Sequence, residues 1–230
     1  MIDKFLLLTL AVICIALRSN AQITDTFNDS RDGETYKTVK IGTQIWMAEN
    51  LKATKYNDGS SIPNVTDAST WHSLTTPAYC NIDNTQDANI INTYGRLYNW
   101  YAVNTAKLCP IGWHVASDAE WTLLEHYVGL PAGGKLKETG TAHWKAPNAG
   151  ATDQVGFKAV PSGYRGDGKR LDLIGVFDRF THRASFWTST EFSSALAKKR
   201  TLHSDVDGTH PGEDLKTYGM SVRCIKDQVK

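Results

Sequence analysis

The 230 residues carry 25 Lys and Arg against 24 Asp and Glu, a formal charge of +1 that leaves no basic excess to attract nucleic acid or anionic lipid. A neutral ligand or a protein surface suits that balance better. The length is ample for one domain with a substantial core, and no stretch is long and apolar enough to span a bilayer.

The chain opens on an address rather than on structure. Lys4 precedes an apolar run over residues 5–17, and Ser19-Asn20-Ala21 places small residues before Gln22. This predicts a signal peptide over 1–21, cleaved near Ala21, and a single domain over 22–230. Cys14 lies inside the run without the small neighbour that a lipoprotein signal wants, so secretion, or delivery to the periplasm or cell surface, is expected without a lipid anchor. Cleavage takes away Lys4, Arg18 and Asp3 and leaves 23 residues of each sign. Cys80, Cys109 and Cys224 remain. In an oxidising compartment they read as one pair and a leftover thiol. Metal binding is the rival, and the chain has no CxxC or HxxxH spacing to favour it.

In chain order, Tyr36-Lys37-Thr38-Val39-Lys40-Ile41 alternates like a half-buried strand, Gly42-Thr43 turns it, and residues 44–51 return. Glu49 and Asn50 at the strand end are expected to satisfy backbone groups rather than to hold a substrate. Residues 52–92 are rich in Asn, Asp, Ser, Thr and Pro. They predict a long surface excursion anchored by Trp71, Tyr79 and Cys80. Residues 94–103 put Leu97, Trp100 and Tyr101 on one face of a first helix, with the aromatics as core. Ser117 and Glu120 form a capping box that starts a second helix near Asp118; Trp121, Leu124, Tyr127 and Val128 make its apolar stripe and Gly129 its stop. Beyond a Gly- and Ala-rich stretch come four short strands, over 156–160, 186–190, 197–202 and 218–225. Lys198-Lys199-Arg200 in the third reads as a charged sheet edge. The fold class is α+β, two helices packed on a small twisted antiparallel sheet with long irregular loops.

Four ordered segments carry a resemblance: residues 39–51 (Val-Lys-Ile-Gly-Thr-Gln-Ile-Trp-Met-Ala-Glu-Asn-Leu), Tyr94-Gly95-Arg96-Leu97-Tyr98-Asn99-Trp100, Cys109-Pro110-Ile111-Gly112-Trp113-His114-Val115 and Gly219-Met220-Ser221-Val222-Arg223-Cys224. Together with residues 156–165 and 186–191, they resemble the Fibrobacter succinogenes major paralogous domain, an exported bacterial family without an established activity. The motif order is also similar to the C-type-lectin-like fold shared with formylglycine-generating enzymes. That resemblance implies that the last strand returns beside the first and that Cys109 bridges Cys224. The bridge would close a loop of over a hundred residues, worth about 4 to 5 kcal/mol in the chain-entropy picture. Cys80 is then a free thiol.

Three function classes follow. The first is a non-catalytic binding module that presents ligand on loops at 140–155, 162–183 and 203–215, with Trp144, Tyr164, Arg165, Asp178 and Arg179 as contact residues. Its partner is expected to be a polysaccharide or a cell-envelope protein, with no cofactor and no metal. Ala146-Pro147-Asn148 and Trp187-Thr188-Ser189 lack the carboxylates of calcium-dependent lectins, and Asp205, Asp207, Gly208 and Asp214 read as a turn. The second class is a structural or adhesive subunit. The third, an oxidase of the formylglycine-generating type, needs two reactive thiols, and a structural bridge would leave one.

Overall fold

The computed structural model describes residues 24–166 and 175–228; the signal peptide and its cleavage near Ala21 lie outside them. Three strands open the described chain, β1 (Thr24–Asn28), β2 (Thr35–Ile41) and β3 (Gln44–Met47). The β2–β3 hairpin turns at Gly42-Thr43 as its alternation predicts. β1 lies in the stretch read as a polar entry and instead pairs antiparallel along β2, from Thr24 opposite Val39 to Asn28 opposite Thr35.

The excursion is punctuated by α1 (Ala68–Ser73), β4 (Tyr79–Cys80) and α2 (Ala88–Tyr94), and Trp71, Tyr79 and Cys80 are buried in it as expected. The single helix expected over 94–103 does not form. Gly95 ends α2 at φ 74°, β5 (Leu97–Tyr98) pairs with β4, and only α3 (Trp100–Val103) is helical. The cause is a close backbone crossing. A Cβ on Gly95 would meet Asn50 Cβ at 2.6 Å, and Arg96 N donates to Leu51 O at 3.0 Å. Only glycine tolerates that approach at positive φ.

β6 (Trp113–Val115) runs into α4 (Asp118–Val128), whose capping box between Ser117 and Glu120 is formed. Gly129 ends α4 at φ 76° with an extended ψ of 145°, so the stop is a positive-φ glycine but not a left-handed helical one. Trp121, Leu124 and Val128 are buried, whereas Tyr127 is exposed and lies over Gly42. After α5 (Gly133–Leu136) come β7 (Tyr164–Arg165), β8 (Phe177–Asp178), β9 (Arg183–Glu191), β10 (Leu196–His203), β11 (Thr209–Leu215) and β12 (Cys224–Lys226). β12 enters between β3 and β6, giving a five-stranded sheet of order β1-β2-β3-β12-β6, while β11-β10-β9 form a separate three-stranded sheet.

Three readings of the later strands need correction. Residues 156–160 contribute an isolated bridge at Ala159 rather than a strand. Residues 219–221 also form bridges, before β12 proper. The strand carrying Lys198-Lys199-Arg200 is central in its sheet, not an edge. Its charges are neutralised by pairing: Lys198 Nζ lies 3.7 Å from Glu213, Lys199 pairs with Asp214, and Arg200 with Asp118 and Glu125.

The core is built from aromatic clusters. Trp46, Trp121, Phe157 and Phe186 meet with ring centroids 5.2–6.1 Å apart, mostly edge to face, between α4 and the two sheets. Cys109 and Cys224 are bridged across a sequence separation of 115, so the stretch before β6 is tied to β12. Cys80 is unpaired and buried, and burial pushes its thiol up to about 12.

Long loops leave many carbonyls that no ladder satisfies, and buried cations collect them. Arg223, 1% exposed between Phe157 and Phe186, donates to Met47 O, Phe157 O, Lys158 O and Asn50 Oδ1 at 2.7–3.1 Å. Burial brings its pKa down to about 9, which still leaves it charged at neutral pH. Arg96 donates to Lys52 O, and Lys137 to Ala149, His203 and Val206 carbonyls. Asn50 thus does the satisfying work expected of it, donating also to Tyr94 O at 2.8 Å, while Glu49 Oε2 accepts from Lys37 N at 2.7 Å.

Candidate functional site

β10 pairs with β9 so that His203 lies opposite Arg183 and Thr201 opposite Ser185, and with β11 so that Thr201 lies opposite His210. Directly opposed residues share a face and alternate residues along a strand repeat it. Lys199, Thr201 and His203 therefore stand with Arg183 and His210 on one side of the sheet. The intervening Arg200 and Leu202 are buried on the other.

The side bearing Arg183 and His203 forms a cleft of about 430 Å³ lined by Arg183, Lys199, Thr201, His203, His210 and Glu213. His203 and His210 meet edge to face at 4.6 Å. Burial, and then the charges of Arg183, His210 and Lys199, bring His203 down to about 4, so it is a neutral imidazole at pH 7. Thr201 is 3% exposed, and its Oγ1, sheltered in the wall, has no hydrogen-bond partner among the described residues. Lys199 is committed to Asp214, and the Arg183 guanidinium has no carboxylate partner among the described residues. Such a site can bind through charge and hydrogen bonds, with polar groups converging on one concavity. The far end of β10 is fixed by Lys137, whose Nζ holds His203 O at 2.8 Å.

The residues expected to touch ligand divide into two sets. Trp144 is 1% exposed, gives its Nε1–H to Ala159 O at 2.9 Å and underlies Lys137 Nζ, so it belongs to the core. Arg165 is equally buried. It donates to Val65 O, Thr66 O and Gly175 O and packs on Trp71, clamping the excursion to β7. Tyr164, Asp178 and Arg179 do come together. Tyr164 Oη donates to Asp178 Oδ2 at 3.0 Å, and Arg179 Nε lies 3.4 Å from Asp178. Burial, followed by the Asp178 bond, raises the Tyr164 pKa, and the charges of Arg183 and Arg179 reach it as well. This cluster adjoins the cleft through Arg183, whose carbonyl accepts from Gly163 N at 2.8 Å. Tyr164 also stacks on Tyr218, rings 6° from parallel with centroids 5.8 Å apart.

Residues 203–215 were expected to be a ligand loop. Most of that segment is β11, and only 204–208 is the connection, tied down by Gly134 N to Asp207 O at 2.7 Å and by Lys137 to Val206 O. Among the described residues, no cluster of three or more His, Cys, Asp or Glu is arranged to hold a metal ion. Lys199, Thr201, His203 and His210 were not singled out as ligand residues from the sequence. Lys199-Arg200-Thr201-Leu202-His203 is polar at four of its five positions, so alternation does not mark the exposed face, which the pairing with β9 and β11 decides.

The order of motifs from β2 to β12 is matched by a known family. Residues 39–226 fit the Fibrobacter succinogenes major domain. The chain belongs to that family. No curated protein and no solved structure matches it. The family motifs coincide with the framework rather than with the cleft: Arg96 of Tyr-Gly-Arg-Leu-Tyr and Arg223 of Gly-Met-Ser-Val-Arg-Cys are the carbonyl clamps described above, and Cys109 and Cys224 form the bridge. No helix among the described residues is long and apolar enough to cross a membrane.

Proposed function

We propose that this member of the Fibrobacter succinogenes major domain family is an exported, non-catalytic binding module whose ligand is a polysaccharide or another component of the cell envelope. The observation that carries this reading is the cleft on the three-stranded sheet. It brings Arg183, Thr201, His203 and His210 onto one concave surface, with the Thr201 hydroxyl unpartnered and Arg183 without a carboxylate among the described residues. A C-type-lectin-like architecture is part of the proposal, supported by β12 returning to the amino-terminal sheet, beside β3 and β6 rather than beside the first strand, and by long loops carried on small antiparallel sheets. The thiols favour a non-catalytic role over redox chemistry, since two are bridged and the third is buried with its pKa pushed up. Export is supported by the bridge and by the leader-like sequence of residues 1–21.

A polysaccharide and envelope-fraction binding panel, run with and without chelator, tests this reading. Retention that survives chelation is the expected result, and absence of retention by every fraction would sink it. A structural or adhesive role is the second reading, favoured by Leu123, Tyr127 and Leu130, which are exposed at spacings of four and three along and just beyond α4. Concentration-dependent self-association in light scattering, with no glycan retained, would move the assignment there.

A further inference from the structure

We propose that the cleft on the outer face of β9, β10 and β11 recognises an anionic sugar unit, with Arg183 as the charge partner and the His203–His210 pair as its wall. This rests on the binding-module reading and names the ligand class for that site. The near-zero net charge of the chain hides a local imbalance. Arg183 and Lys199 line the cleft beside His210 and the neutral His203, and its one lining carboxylate, Glu213, lies 3.7 Å from Lys198. With Lys199 held by Asp214, Arg183 is a cation with no carboxylate partner among the described residues. A guanidinium suits this role because its fixed fork of donors matches a planar oxyanion, two bonds at a time.

The surroundings point the same way. His203 is kept neutral first by burial and then by the charges of Arg183 and His210, with Asp205 acting the other way, so the ring brings no charge of its own to the cleft. A neutral imidazole can also donate to or accept from a ring hydroxyl. Next to Arg183, the half-buried Tyr164 ring adds an aromatic surface of the kind on which the C–H face of a pyranose packs. The volume, about 430 Å³, is in the range of small-molecule sites and holds one or two sugar units rather than a folded partner. The shared ligand chemistry is an oxyanion on a sugar ring, which a uronate carboxylate or a sulfate ester can supply.

The test is affinity electrophoresis and calorimetry of the mature chain against polygalacturonate, chondroitin sulfate, dextran and poly-glutamate, with Arg183→Gln and His203→Gln beside the parent. Tighter binding of one or both acidic glycans than of dextran and poly-glutamate is expected. We also expect a loss of about tenfold or more in Arg183→Gln, in line with removal of one charge-assisted partner, and a several-fold loss in His203→Gln. Preference for polygalacturonate or for chondroitin sulfate identifies the anion. Thermal melts of both variants within a few degrees of the parent separate a lost contact from a lost fold. Equal binding of dextran would overturn the anionic assignment while leaving the module reading standing, and so would acidic-glycan binding indifferent to Arg183→Gln. Equal binding of poly-glutamate would overturn the sugar assignment. Retention of none of the four, together with an empty result from the wider panel, would remove both.

Discussion

The inward and outward faces of β10 draw on similar residue types to opposite effect. Inward, Arg200 is 3% exposed and fully engaged, with Nε on Glu125 Oε1 at 2.9 Å, further donors on Asp118 and one on Thr122 Oγ1, so it pins the sheet to α4. Outward, one and three residues further on, Thr201 keeps an unpartnered hydroxyl and His203 faces Arg183, a cation without a carboxylate among the described residues. Unpartnered buried atoms are not confined to the outward face, since Trp71 Nε1 and Trp121 Nε1 also lack partners among the described residues; the contrast lies in the cations, Arg200 paired with two carboxylates and Arg183 with none among the described residues. Two histidines repeat the contrast. His114 sits between Glu120 at 2.8 Å and Asp227 at 2.6 Å, and those bonds, Glu120 first, raise it to about 8; burial first, and then the charges of Arg183 and His210, lower His203 to about 4.

The comparison can be broken at several points, the framework first. Replacing Cys109 and Cys224 together by Ser should remove about 4–5 kcal/mol, the loop-closure entropy of a crosslink spanning 115 residues, read as a lower urea midpoint. Arg200→Met leaves Asp118 and Glu125 of α4 facing β10 without their cation and should cost about 3 kcal/mol or more, whereas Arg183→Gln on the outer face should stay within about 0.5 kcal/mol of the parent. Equal losses for those two variants would erase the distinction between the faces. Ser117→Ala removes the cap that accepts from Glu120 N and should cost about 1 kcal/mol by the same measurement.

The smallest effect sharpens the contrast through pH. His114, raised from 6.5, contributes stability that is present below about pH 6.5 and is lost as the pH rises through about 8. His203, lowered from 6.5, contributes stability present above about pH 6.5 and lost as the pH falls through about 4, where Arg183, Lys199 and His210 oppose its charge and Asp205 favours it. His114→Gln should flatten the alkaline limb of melting temperature against pH, and His203→Gln the acid limb. Solvent screening at these partly exposed rings keeps both changes small. A parent curve that is flat on both limbs would contradict the assignment.

Local chemistry was legible where it acts over a few residues. Ser117 and Glu120 specify the start of α4, and the alternation from Tyr36 to Ile41 specifies β2, because a capping box and a period-two pattern need no distant partner. The first helix was misjudged at Gly95, where helical spacing of aromatics yields to a close crossing with Asn50 and Leu51 that lies about 45 residues away in sequence. Arg165 was taken for a ligand residue because a polar loop surrounds it. Its guanidinium is spent on carbonyls about 100 residues back, at Val65 and Thr66.

The amino-acid sequence by itself determined the α+β class, the capped helix, the strand hairpin and, through its motifs, the family and the Cys109–Cys224 pairing. Each is encoded in residues close together or in a motif order. Tertiary structure alone decided which cations became clamps and which became a site. Arg96, Arg165, Arg200 and Arg223 found carbonyls or carboxylates when distant segments folded onto them, and among the described residues Arg183 did not. A charge becomes structural or available according to whether the fold delivers it a partner, and that depends on contacts the local sequence does not contain.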